Sequence, residues 1–195
     1  HPTWKMGPKN TIDSATMANK GIELIEAHCL FGLEVDRIEV LIQPQSLVHS
    51  LVRTIDGFLY AQLSQPDMRM VIQNSLSHPD LLPHEFGTLD LAGKQLSFLP
   101  VDRRKFRLLD LAYRVARQGG AYPVVFNAAN EVAFECFLNR ALPFLGIASL
   151  VEELLQGDWS GGADSVEEIL DTDDVARRKA QEVARLRQSR ERAVS

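Results

Sequence analysis

Asn19, Lys20 and Glu23 stand at i, i+1 and i+4, a spacing that on an α-helix gathers an amide, an ammonium and a carboxylate onto adjoining turns of one face. Such a set can share one ligand. A phosphorylated sugar needs a cation and neutral donors. Lys20, Asn19 and the hydroxyl of Ser14 supply these, and a helix N-terminus near Ser14 would add free N–H groups. Glu23 suits a hard divalent cation. On spacing alone, a solvated helix face is the commoner meaning of this stripe. Gly21 is its unusual neighbour. A mid-helix glycine costs about 1 kcal/mol relative to alanine, so something approaches the backbone there, either a ligand or a packed neighbour.

These residues need a helix under them, and the sequence predicts one. Residues 3–14 read as a loop, with Gly7 and Pro8 as punctuation. From Ala15 the pattern runs helical to about Leu30, with Asp13 or Ser14 as N-cap and Gly32 as the stop. Ala18, Ile22, Ile25 and Cys29 fall on one side for the core, and Thr16, Asn19, Lys20 and Glu23 on the other. Strands are expected over residues 37–42, 46–55 and 58–63, the last two joined at Asp56 and Gly57. Helices follow over 68–76, 105–118, 123–138 and 147–156. A final charge-rich helix, introduced by Ser165 and Glu168 at capping-box spacing, is expected to fray past Leu186. The fold class is therefore α+β, a small and mostly antiparallel sheet packed with helices and followed by an all-helical C-terminal domain. A division into residues 1–77, a linker over 78–104 and a helical domain over 105–195 is expected.

Composition narrows the partners. The chain has 195 residues, 45% of them hydrophobic, and 21 Lys and Arg against 26 Asp and Glu give a formal net charge of -5. Nothing in that balance attracts nucleic acid or an anionic membrane, so an anionic ligand needs a local site. No apolar run approaches the roughly 20 residues of a membrane span, and the start resembles no signal peptide. A soluble, cytoplasmic protein is expected. The two cysteines, Cys29 and Cys136, sit in apolar helical patterns and read as small buried thiols. The opening at His1, inside an apparent loop, reads as part of a longer protein.

The segments HPTWKMG, IDSATMANKGIELIEA, QPQSLVHS, GFLYAQLSQPDMR and NAANEVAFECFL, in this order, resemble the blocks of the 1-deoxy-D-xylulose 5-phosphate reductoisomerase family over nearly the whole chain. DSATMANKG is long and specific. The resemblance implies an enzyme that rearranges 1-deoxy-D-xylulose 5-phosphate with the help of Mg2+ or Mn2+, with Co2+ as a further option. It then reduces the product with NADPH to 2-C-methyl-D-erythritol 4-phosphate, in non-mevalonate isoprenoid synthesis. By the same resemblance His1, Ser14, Asn19 and Lys20 bind substrate, largely through its phosphate, and Glu23 contacts substrate and ligates the metal. Trp4 and Met6 lie in a flap that closes over the substrate, and Gly7 meets the nicotinamide cofactor. Lys20 and Glu23 are the expected catalytic residues and a homodimer the expected assembly, with neither nucleic acid nor membrane as partner. By themselves, Trp4 reads equally as a core aromatic and His1 as a frayed terminus; the resemblance reverses both readings.

Gln43 departs from the family pattern, which has His at that position; His49 is retained. An amide cannot carry a proton near neutral pH, and both residues read as strand-end polar groups. Asn127, Asn130 and Glu131 read as structural hydrogen-bonding groups. No GxGxxG turn of a dinucleotide domain occurs, and the acidic pair that supplies the family's other metal ligands lies upstream of His1. The chain alone is expected not to turn over. A second reading is a non-catalytic sugar-phosphate-binding or dimerisation module without a cofactor domain, and a weaker third is a related enzyme of other specificity.

Overall fold

The computed structural model describes residues 5–194. Along it run α1 (Pro8–Thr16), α2 (Ala18–Phe31), a 3-10 turn (Val35–Arg37), β1 (Leu41–Ile42), β2 (Val48–Arg53), β3 (Leu59–Leu63), α3 (Met68–Ser77), β4 (Leu99–Pro100), α4 (Arg107–Gln118), α5 (Tyr122–Leu138), α6 (Phe144–Leu154) and α7 (Val166–Val194). The class is α+β, as the sequence predicts. No described helix is long and apolar enough to cross a membrane.

Two compact units interleave along the sequence. Leu41–Val101 makes one, and Met6–Val40 with the chain from Asp102 onward makes the other. α1 and α2 share a core with the C-terminal helices.

In the first unit, β2 and β3 form an antiparallel hairpin in which Leu51 faces Ala61. Its turn closes where Asp56 and Gly57 predict: Gly57 N–H donates to the Thr54 carbonyl at 3.0 Å and Thr54 N–H to the Phe58 carbonyl at 2.9 Å. β1 pairs instead with β4 from the far end of the unit, Leu41 opposite Pro100. Asp67 caps α3 by accepting from Arg69 N–H at 2.9 Å. The Arg69 side chain beside it holds the Asp67 carboxyl well below its ordinary range, at about 2. The strand expected over 37–42 shrinks to Leu41–Ile42. Upstream of it the chain makes a 3-10 turn, and the Ile38 carbonyl accepts the Tyr113 hydroxyl at 2.8 Å, so α4 takes a backbone group that a strand partner would need.

In the second unit, α4, α5, α6 and α7 enclose a core that includes Leu108, Val115, Phe126, Val132, Ile147 and Leu150. α7 contributes Ala176, Ala180 and Ala184, an i, i+4, i+8 stripe of small residues that lets it lie close against its neighbours. Its exposed charges are partly organised: Arg177 reaches Glu131 of α5 and Asp173 at 2.5 Å each, and Arg187 reaches Glu153 of α6 at 2.5 Å. The helix runs to Val194, as its Arg-, Glu- and Ala-rich sequence favours.

The face that α2 buries differs from the expected one. Ala18, Gly21 and Leu24 are buried, Ile22 and Ile25 half-buried, and Cys29 is exposed, so the reading of Cys29 as a buried thiol is corrected. Gly21 explains the rotation. A Cβ at this position would lie 2.8 Å from the Ala112 Cβ of α4 and 3.4 Å from Phe126, so the glycine lets two helices approach at van der Waals distance. It answers the open question at Gly21 in favour of packing. Gly21→Ala is accordingly expected to lower the unfolding midpoint. Ala gains about 1 kcal/mol of helix propensity, but overpacking a rigid helix contact costs about 1–3 kcal/mol. Thermal denaturation checks this, and a midpoint equal to or above the parent's would contradict it.

Candidate functional site

The candidate residues are carried by two helices, Ser14 by α1 and the stripe Asn19, Lys20 and Glu23 by α2. Residues expected as a loop form α1, whose first turn is opened by Pro8 at a position that needs no N–H. Neither Asp13 nor Ser14 caps a helix start. Ser14 lies in the last turn of α1, where its carbonyl accepts Met17 N–H at 3.3 Å, and Met17 takes the left-handed conformation with φ 59° and ψ 19°. A methionine there costs about 1–2 kcal/mol, which the flanking helices hold in place. The Thr16 hydroxyl spans the break, donating to the Ile12 carbonyl at 3.0 Å and accepting from Ala18 N–H at 3.3 Å.

The break moves the helix N-terminus. It lies at Ala18, so Asn19 and Lys20 occupy the first turn of α2, where unpaired N–H groups and the helix dipole favour an anion. Within the stripe, Asn19 Nδ2 donates to Glu23 Oε1 at 2.6 Å and Lys20 Nζ to Glu23 Oε2 at 2.5 Å. The Lys20 and Glu23 side chains are about half exposed, at 46% and 47%. An ion pair of that exposure is worth roughly 0–1 kcal/mol. Opening it to admit an anion at Lys20 and a cation at Glu23 therefore takes little energy.

Glu23 is the only carboxylate of the stripe, and among the described residues no three His, Cys, Asp or Glu side chains gather into a metal cluster. Its hard, exposed oxygens fit one position on a divalent cation; this stripe does not furnish the remainder.

Met6 is half-buried and Gly7 exposed. Gly7 is the N-cap of α1, its carbonyl accepting Thr11 N–H at 3.0 Å, and the Met6 carbonyl accepts the Thr11 hydroxyl at 3.4 Å. The end of the expected flap is thus tied to the helix that carries Ser14. His1 and Trp4 lie outside the described residues.

Gln43 and His49 belong to the other unit. Gln43 Oε1 accepts Leu47 N–H at 2.8 Å and its amide donates to Gln45 Oε1 at 2.5 Å, closing a turn before β2. His49 Nε2 lies 3.2 Å from the Ser64 carbonyl. Asn127, Asn130 and Glu131 line α5, and the last two bond across helices, Glu131 to Arg177 and Asn130 to Asp13. Asp13 itself, the buried acid of α1, escaped the sequence reading except as a cap. Its one sequence signal is Lys9 a turn earlier, with which it forms an ion pair.

Comparison with known proteins identifies the family. A family model described as DXP reductoisomerase C-terminal domain matches residues 63–179, and another, 1-deoxy-D-xylulose 5-phosphate reductoisomerase C-terminal domain, matches residues 1–31. The 1-deoxy-D-xylulose 5-phosphate reductoisomerase of Chloroherpeton thalassium is 48% identical over 179 residues, 91% of this chain and 46% of that protein. The enzyme of the same name from Pelotomaculum thermopropionicum is 49% identical over 95% of this chain and 48% of its own. A crystal structure of DOX-P reductoisomerase with NADPH, fosmidomycin and magnesium superposes with a TM-score of 0.86 at 40% identity, covering 95% of this chain and 48% of that one. The Zymomonas mobilis enzyme with NADPH gives a TM-score of 0.86 at 40% identity, over 90% of this chain and 47% of that one. The chain spans about half the length of the curated relatives it matches. With one family model alone matching residues 63–179 of 195, this chain belongs to the 1-deoxy-D-xylulose 5-phosphate reductoisomerase family.

Proposed function

We propose that this chain is the catalytic and C-terminal part of an enzyme that converts 1-deoxy-D-xylulose 5-phosphate to 2-C-methyl-D-erythritol 4-phosphate. The observation that carries the reading is the pre-assembled Asn19, Lys20 and Glu23 cluster at the start of α2. Lys20 neutralises the substrate phosphate, Asn19 and Ser14 donate to its oxygens, and the first-turn N–H groups of α2 add to the same field. Freed from Lys20 and Asn19, Glu23 offers its oxygens to a divalent cation, Mg2+ or Mn2+, and to the adjoining substrate hydroxyl. Bound there, the cation supplies Lewis-acid polarisation of the substrate carbonyl. His1 adds a further substrate contact, and Trp4 and Met6 cover the bound substrate and exclude water. Gly7, without a side chain, lets the nicotinamide of NADPH approach. The residues before His1 in the whole protein hold the dinucleotide and the other metal ligands. The enzyme works in the cytoplasm as a homodimer.

The test is an NADPH oxidation assay on the full-length protein. Oxidation that requires both 1-deoxy-D-xylulose 5-phosphate and a divalent cation is expected. A full-length protein that binds the sugar phosphate without consuming NADPH would instead support a binding module. The chain expressed alone is expected to show no measurable affinity for NADPH in calorimetry, since it lacks the glycine-rich turn that cradles a dinucleotide. Micromolar binding would contradict the assignment of cofactor binding to the upstream residues.

A further inference from the structure

α1 has an unusual problem of orientation. Nine residues are too few for a helix stable by itself, and its sequence, PKNTIDSAT, offers little apolar surface. Ile12 packs partly against the core, but apolar contact is non-directional and leaves rotation about the helix axis loosely set. The one fully buried residue of α1 is Asp13, 5% exposed. Its carboxylate pairs with Lys9 of the same helix, and Oδ1 accepts Asn130 Nδ2 of α5 at 3.1 Å. Asn130 is 1% exposed, and its Oδ1 has no partner among the described residues.

As a stabilising device this pair is poor. A buried carboxylate and a half-satisfied amide are commonly matched or bettered by two apolar residues of similar volume. As a registration device it is good, because a hydrogen bond between buried groups holds only in one geometry. Asp13 directly precedes Ser14, about 100° round the helix. Ser14 in turn anchors the Met17 break through its carbonyl, and two residues on from Met17 stands Asn19. Rotation of α1 would carry the Ser14 side chain round with it.

We propose that Asp13 and Asn130 are positioning residues for phosphate binding: their buried hydrogen bond fixes the rotation of α1 and so aims Ser14 at the phosphate held by Asn19 and Lys20. The role rests on the phosphate-site reading above. It assigns to an α5 residue, which touches neither substrate nor cofactor, a share in substrate affinity.

The test uses the full-length enzyme with Asn130→Leu and with the exchange Asp13→Asn/Asn130→Asp, which returns one donor and one acceptor across the same gap. Asn130→Leu is expected to raise the KM for the sugar phosphate and the inhibition constant of inorganic phosphate together, by about tenfold, while the KM for NADPH stays within about twofold. The exchange should bring both constants back to within about threefold of the parent. Should Asn130→Leu fail to fold, Asn130→Ser, whose hydroxyl is too short to reach Asp13, carries the same expectation. Phosphate inhibition unchanged in a folded Asn130 variant overturns the proposal. So does an exchange variant that recovers thermal stability but not phosphate affinity. Lys20→Ala separates the two claims. If it leaves both constants unchanged, the phosphate site itself is misplaced; if it raises them and the Asn130 variants do not, only the positioning role fails.

Discussion

Glu23→Gln in the full-length enzyme is expected to lower kcat by on the order of a hundredfold or more, equivalent to roughly 3 kcal/mol of lost transition-state stabilisation. Mn2+ binding should weaken in parallel. The geometry adds a signature beyond loss of rate. In the resting site both Glu23 oxygens are engaged, one by Asn19 and one by Lys20. Glutamine keeps a single acceptor oxygen and no charge, so the Lys20 ammonium loses its neutralising partner and its attraction for an anion grows. Inhibition by inorganic phosphate should therefore hold steady or tighten while turnover collapses. Steady-state kinetics with Mn2+ titration measures both, and near-normal turnover at saturating metal would exclude Glu23 as a ligand.

Lys20→Ala should do the converse. Lys20 is the one cation of the Asn19, Lys20 and Glu23 stripe on α2, and a hydrogen bond to a charged group is worth about 1.5–3 kcal/mol. The KM for 1-deoxy-D-xylulose 5-phosphate is thus expected to rise by about 10- to 150-fold. Turnover falls as well if phosphate binding drives flap closure. Lys20→Arg, which keeps the charge but not the compact ammonium, should recover part of the loss. An unchanged kcat/KM for Lys20→Ala would remove Lys20 from the site. Opposite responses of phosphate affinity in the Glu23 and Lys20 variants would separate a cation role from an anion role on one helix face.

The stripe was legible in the sequence because its members are local: a helix period alone brings Asn19, Lys20 and Glu23 together. The β2 and β3 hairpin was legible through Asp56 and Gly57, and α4, α5 and α6 through the Gly and Pro that punctuate them. What escaped depends on partners distant in sequence. Gly21 gives the same local signal whether a ligand or Ala112 approaches it. Asp13 reads as a cap until Asn130, on α5, is brought beside it. The Met17 break has no sequence marker, since a left-handed turn is ordinarily left to Gly or Asn. Without that break the sequence predicts a helix from Ala15, capped by Asp13 or Ser14, instead of from Ala18. The pairing of β1 with β4 closes across the whole of the first unit, and no local pattern announces it.

The central claim, that the start of α2 holds the substrate phosphate and Glu23 a metal ion, is tested most directly by diffraction. Crystals of the full-length protein with Mn2+ and a phosphonate analogue of the substrate would be measured for manganese anomalous scattering. The expected result is an anomalous peak in direct contact with a Glu23 carboxylate oxygen, and a phosphonate within hydrogen-bond reach of Lys20, Asn19 and Ser14. Manganese bound elsewhere, with Glu23 still holding Asn19 and Lys20 as it does here, would contradict it.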